Sequence, residues 1–185
     1  GHSTYDVGPV LVHVGGFTFE KNHAGLINIF ERIVKKNTTA SLHLIGDGIL
    51  RNDIEEIVKK RNLDKKVCFH GYKKHVSQFI HNADVLLLPS LIEGLPGVIL
   101  EAFACRTPVV AYDVGGVKEI VIPKHTGYLV EKGNEEEFAS AILASLEKNA
   151  YNEMLIENAY RLVTSKYFNT QITKEFLNVY ESIVS

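Results

Sequence analysis

The chain has 185 residues, 45% of them hydrophobic and 23% charged, and 20 Lys and Arg against 22 Asp and Glu leave a net charge of −2. That length suits one domain with a substantial core, and without a basic excess nothing points to a nucleic-acid partner. No apolar run approaches the ~18 residues of a membrane span, and no signal peptide stands out. Cys68 and Cys105 both sit in apolar surroundings, so they are expected to be buried free thiols in a reducing, cytoplasmic compartment.

In chain order, Val10–Val14 predicts a strand ending at Gly15-Gly16. Leu26, Ile27, Phe30, Ile33 and Val34 recur at helical spacing and predict an amphipathic helix over Asn22–Lys36. Ser41–Ile45 is a second strand, closed by Gly46-Asp47-Gly48, and a helix follows to about Asn62. Lys66–Phe69 is a short third strand, Gly71-Tyr72 turns out of it, and Val76–Asn82 is a short helix. Val85–Leu88 is wholly apolar, as suits a strand covered on both faces. A loop follows at Ile92–Leu95. Pro96 and Gly97 then open a helix with Val98, Ala102 and Cys105 at helical spacing. Val109–Tyr112 is a fifth strand, Asp113–Gly116 a glycine turn into a short helix, and Gly127–Val130 a sixth strand. Asn134, with Glu137 three residues on, starts a further helix. Two more cover about 151–164 and 170–185. Strands alternating with helices predict an α/β fold, a doubly wound parallel sheet of about six strands with C-terminal helices.

In such sheets ligands bind beyond the carboxyl ends of the strands, where every loop of interest here falls. The N–H groups of Leu95, Gly97 and Val98 lie at a helix start, where partial positive charge favours an anion. Glu101, four residues after Gly97, shares its helix face about 6 Å further along. A carboxylate that deep can accept hydrogen bonds from ribose hydroxyls rather than meet phosphate. With Glu93 in the loop, the stretch offers amides for a phosphate and two carboxylates for hydroxyls, the elements of a nucleotide-sugar site. Gly15, Gly16 and Phe17 allow close backbone approach, and Lys21 reads either as a solvated lysine or as a point charge reaching a diphosphate. Tyr72 either covers a base or belongs to a basic surface loop. No H-E-x-x-H or comparable metal spacing occurs among the eight histidines, and there is no Asp-x-Asp, so no metal is expected. No G-x-G-x-x-G follows the first strand, which disfavours an NAD-binding domain.

The spacing of Glu93 and Glu101 within EGLPGVILEA, followed by PVVAYDVGGVKEIV, resembles the retaining GT-B glycosyltransferases of the bacterial group 1, or family 4, type. The resemblance runs from about Val10 to the last helix and covers the C-terminal, donor-binding half of such an enzyme. It implies one nucleotide-sugar-binding domain over 1–185, whose N-terminal acceptor domain lies outside this chain. The intact enzyme would transfer a sugar from a nucleoside diphosphate sugar, UDP-type by expectation, to an acceptor hydroxyl in cell-surface polysaccharide or glycolipid synthesis. Contact with the inner membrane face would come through the other half. The resemblance gives Lys21 the diphosphate, Glu93 the donor sugar, Glu101 the ribose and the loop of Tyr72 the base, with Lys21 and Glu93 as catalytic groups. At Gly16 the family usually has an arginine that binds phosphate, and at Arg106 often glycine. A non-catalytic nucleotide-sugar-binding module and a GT-B-like sugar-nucleotide epimerase are the alternatives.

Overall fold

The computed structural model describes residues 7–167. The helix expected over 170–185 lies outside them. Six parallel strands form one sheet: β1 (Val10–Val14), β2 (Ser41–Ile45), β3 (Val67–Gly71), β4 (Val85–Leu88), β5 (Val109–Tyr112) and β6 (Tyr128–Val130). Their order is β3-β2-β1-β4-β5-β6. The chain therefore reverses its direction of travel across the sheet between β1 and β4, the kind of switch point beside which ligands bind in open parallel sheets. Val85–Leu88 and Val109–Tyr112 are buried at every position, as their unbroken apolar runs predict. A buried Leu or Val there contributes about 1.5–3 kcal/mol relative to an exposed one.

The helices are α1 (His23–Lys36), α2 (Arg51–Lys60), α3 (Ser77–His81), α4 (Gly97–Ala104), α5 (Glu135–Ser145) and α6 (Ala150–Leu162). α1 packs with α2 and α5, and α4 packs with α3 and α6. The sheet is thus covered from two sides, with Leu26, Ile29, Phe30 and Ile33 of α1 among the fully buried residues. Asn134 accepts a hydrogen bond from the Glu137 N–H and caps α5, as the sequence pattern predicts.

Several boundaries differ from the sequence reading. Asn22 is not the first helical residue but the cap of α1, at φ 59, with its side chain accepting from the Gly25 N–H. Pro96 is likewise the cap of α4, in an extended conformation, and Gly97 is the first helical residue. The third strand runs to Gly71 rather than Phe69. The buried face of α4 is Ile99, Ala102, Phe103 and Ala104, with Val98 only half-buried, because neighbours on two sides shift the covered arc away from Val98. Both cysteines are free thiols; Cys105 is buried, but Cys68 is only half-buried on the outer strand β3.

Candidate nucleotide-sugar site

The loops after β1 and β4 are tied together at three places. The Leu91 N–H donates to the Glu20 carbonyl at 2.8 Å. Asn22 Nδ2 donates to the Pro89 carbonyl at 2.9 Å. Lys21 Nζ meets Glu93 Oε1 at 2.5 Å. The Lys21 side chain is 28% exposed and that of Glu93 only 8%, so the carboxylate is held largely out of water with the ammonium on its solvent side. Removing one partner of a pair this sheltered leaves the other poorly compensated.

Gly115 and Gly116, after β5, form the floor of the Glu93 loop. Gly115 has φ +52, and a Cβ there would come within 1.8 Å of the Glu93 carbonyl oxygen. The Gly116 N–H donates to the Gly94 carbonyl at 3.0 Å. The sequence marks these two glycines as a turn and as part of the block that carries the family resemblance; their contact with Glu93 crosses between β-strand ends and leaves no local pattern. Gly46 does the same beneath the first loop, where its Cβ would lie 2.1 Å from the Gly15 carbonyl oxygen.

At the start of α4, the first two helical N–H groups, Gly97 and Val98, have no intrahelical acceptor by the geometry of any helix. Leu95 is exposed beside them. One turn in, Glu101 is half-buried and its Oε2 is buried without a hydrogen-bond partner. Burial of the charged form pushes its pKa up to about 7. A carboxylate sunk into the protein with an unsatisfied acceptor costs free energy unless a ligand supplies donors.

Gly15, Gly16, Lys21, Glu93, Leu95, Gly97, Val98 and Glu101 all lie at or just beyond the carboxyl ends of β1 and β4. Tyr72 follows β3 and is 76% exposed, at the same sheet edge but two strands away from β1. Phe17 is a correction. Its ring is buried, stacked on His23 at 3.9 Å between centroids, and its N–H donates to the Asp47 carbonyl at 3.0 Å. Phe17 is therefore core, and its amide is engaged inside the turn rather than presented to an anion. Gly16 has room for a side chain: a Cβ would lie 3.4 Å from the Asp47 carbonyl oxygen, with no left-handed backbone to forbid it.

His13 and His23, which sequence reading did not single out, pack edge to face at 4.8 Å behind Lys21. His13 Nδ1 lies 2.8 Å from the Leu87 carbonyl oxygen and so carries the proton. Burial lowers the pKa of His13 to about 4 and that of His23 to about 3. Both are neutral at pH 7 and add no positive charge to the site.

A Rossmann-like sheet with its charged and amide groups at the β1/β4 reversal has the architecture of one half of a GT-B glycosyltransferase. Comparison with known proteins bears this out: residues 2–162 match the family described as glycosyl transferases group 1, and the chain belongs to that family. It is 29% identical over 177 residues to an alpha-D-kanosaminyltransferase of Streptomyces kanamyceticus, covering 95% of this chain and 46% of that protein. The crystal structure of the C-terminal domain of a group 1 glycosyl transferase family protein, LpcC, from Francisella tularensis is similar at a TM-score of 0.77. The two are 25% identical, with 86% of this chain and 87% of that one covered. The fold is also that of Anabaena HepE, solved in complex with UDP, at a TM-score of 0.81 and 22% identity over 95% of this chain and 49% of that one. The chain spans about half the length of the curated relatives it matches.

Proposed function

We propose that this chain binds the donor nucleotide sugar of a retaining glycosyltransferase, the acceptor being held by a further domain of the same enzyme. The observation that carries this reading is Glu101, whose buried, unsatisfied carboxylate oxygen lies one turn beyond the free amides of α4. The amides take a phosphate. The carboxylate takes the two ribose hydroxyls, as acidic residues do in dinucleotide-binding folds. Lys21 places a positive charge beside the leaving diphosphate. Glu93, turned toward Lys21, accepts from donor-sugar hydroxyls with its remaining lone pairs. Catalysis is then positional and electrostatic: it stabilises the departing diphosphate and holds the anomeric carbon toward the acceptor. The UDP bound by HepE makes uridine the first base to test. The free thiols Cys68 and Cys105 suit a reducing compartment, and we place the enzyme in the cytoplasm on that ground.

The test is calorimetric titration of the chain with UDP, GDP and ADP, repeated on Glu101→Ala and Lys21→Ala. Saturable binding of one nucleotide is expected. Loss of Glu101 should weaken nucleoside and nucleotide alike, whereas loss of Lys21 should weaken only the diphosphate. Equal binding by wild type and Glu101→Ala would overturn the assignment. Gly16, standing where the family usually carries a cation, favours a second reading: a module that binds nucleotide sugar without transferring it. That reading predicts that the intact protein transfers no sugar and that Glu101→Ala leaves the cell's glycan unchanged.

A further inference from the structure

On the outer strands of the sheet, apart from the nucleotide-sugar site, three side chains with nitrogen and sulfur ligand atoms converge. His43 lies on β2, and Cys68 and His70 lie on β3. His43 and Cys68 are paired in the parallel register. His70, two residues beyond Cys68, is the extra residue where the β2/β3 register shifts between Leu44 and Ile45, and such a bulge re-aims a side chain, here toward His43. One ligand atom from each of the three falls within 4.8 Å of the others, and all three residues are half-buried. The imidazole rings lie nearly parallel, 5.1 Å apart at 15°, with His43 Nδ1 at 2.8 Å from His70 Nε2. Phe79 of α3 packs on His70 at 4.9 Å and backs the cluster.

Two imidazole nitrogens facing each other at 2.8 Å share one proton between two lone pairs. His43 Nε2 is 3.3 Å from Ser41 Oγ, so the tautomer that donates to Ser41 leaves the Nδ1 lone pair pointing into the cluster. That hydroxyl is the kind of outer partner that fixes the ring of a metal-bound histidine. In a tetrahedral site, Zn–N bonds of about 2.0–2.1 Å and Zn–S bonds of about 2.3 Å set these ligand atoms roughly 3.3–3.6 Å apart. The cluster thus differs from a coordination sphere by side-chain adjustments of about 1 Å.

We propose that His43, Cys68 and His70 form a three-ligand site for a borderline transition-metal ion of the Zn²⁺ type, with solvent as the fourth ligand. On binding, the Cys68 thiol gives its proton to solvent and the thiolate bonds the metal. The His70 proton moves from Nε2 to Nδ1, which frees the Nε2 lone pair. One metal ion enters and one proton leaves. The ion would pin the edge strand β3 to β2, next to the turn that carries Tyr72. It takes no part in gripping the diphosphate. The spacing of one histidine, then 24 residues, then Cys-x-His matches no metal motif and becomes visible only once β2 and β3 pair.

The experiment is titration of the metal-free, reduced 185-residue chain with Co²⁺, followed by Zn²⁺. One equivalent of Co²⁺ should produce a thiolate-to-cobalt charge-transfer band in the near ultraviolet with tetrahedral visible bands, all bleached by one equivalent of Zn²⁺. Cys68→Ser should abolish the charge-transfer band and His70→Ala should weaken binding at least tenfold, while Cys105→Ser leaves both intact. Zn²⁺ should raise the melting temperature of the wild type by several degrees and leave that of Cys68→Ser unchanged. Far-ultraviolet circular dichroism checks that each variant is folded; should His70→Ala fail to fold, the near-isosteric Cys68→Ser decides. Absence of a charge-transfer band, or its persistence in Cys68→Ser, would overturn the site.

Discussion

The backbone of Gly115 rests directly on the carbonyl of Glu93, so closely that a Cβ on the glycine would stand 1.8 Å from that oxygen. Gly115→Ala therefore has to push the Glu93 loop outward as well as adopt φ +52. Left-handed backbone alone costs alanine about 1–2 kcal/mol. Gly133, at φ +87 with nothing within 4 Å of a Cβ, isolates that cost. We expect Gly133→Ala to destabilise by about 1 kcal/mol and to leave nucleotide binding alone. Gly115→Ala should cost more than about 2 kcal/mol and reduce nucleotide affinity at least tenfold. Chemical denaturation and calorimetric titration of the two variants make the comparison; equal losses would show that the loop yields easily.

Glu101 links stability, pH and ligand binding. Its folded pKa of about 7 lies above the ordinary 4.5, so the folded protein holds this proton more tightly than the unfolded chain. The resulting stability is complete below about pH 4.5, declines as pH rises, and is gone above about 7. At pH 8 the buried carboxylate costs on the order of 3 kcal/mol relative to pH 4. Glu101→Gln should melt higher than wild type at pH 8 and at about the same temperature at pH 4.5. Hydroxyl donors favour the ionised form, so wild-type nucleotide affinity should rise with pH up to about 7 and then level off, with proton release below that pH. Thermal melts and titrations in buffers of different ionisation enthalpy measure both.

Gly16 is open to substitution. Its backbone is compatible with any L-residue, and its Cβ position is not blocked. Gly16→Arg should add a phosphate cation where the family usually has one and tighten UDP binding by about tenfold, or about 1.4 kcal/mol. It should leave uridine binding unchanged. An equal gain for both ligands would show that the arginine acts elsewhere.

Arg106 stands at a backbone position that suits glycine. It follows the Cys105 cap of α4 at φ +57, the left-handed position that ends many helices and that glycine occupies without strain. Here its guanidinium stacks 3.9 Å over the Tyr160 ring and pairs with Glu157. These contacts, each about 0.5–1 kcal/mol at an exposed site, offset the strain. Arg106→Gly should thus be neutral to within about 1 kcal/mol, whereas Arg106→Ala keeps the strain, loses the contacts, and should cost about 1–2 kcal/mol. Urea denaturation of both variants tests the order.

What the sequence reveals and what it hides follow from where the determining contacts lie. Val85–Leu88 and Val109–Tyr112 are legible because central parallel strands are buried on both faces and need unbroken apolar runs. The placement of Glu93 and Glu101 is legible because their spacing is local to one loop and one helix. The sequence groups Phe17 with the glycines whose backbone could approach a phosphate, and hides that its amide and ring are taken up by Asp47, His23 and Phe69. The pairing of Lys21 with Glu93 spans 72 residues, and the convergence of His43 with Cys68 and His70 depends on strand register. No window along the chain contains either.

The sheet order carries a mechanical consequence. β1 and β2 are matched at five register positions, from Val10↔Ser41 to Val14↔Ile45, whereas β1 and β4 are matched at only two, Leu11↔Val85 and Val12↔Leu86. Within the sheet, two panels thus meet along a short seam, which α1 and α5 bridge by packing together, and Lys21 belongs to one panel while Glu93 and Glu101 belong to the other. A nucleotide that touches all three acts as a clasp across that seam. Its binding should slow exchange of the Asp84 N–H, which donates to the Val10 carbonyl across that seam, more than that of the Leu42 N–H, which donates to the Lys66 carbonyl inside the first panel.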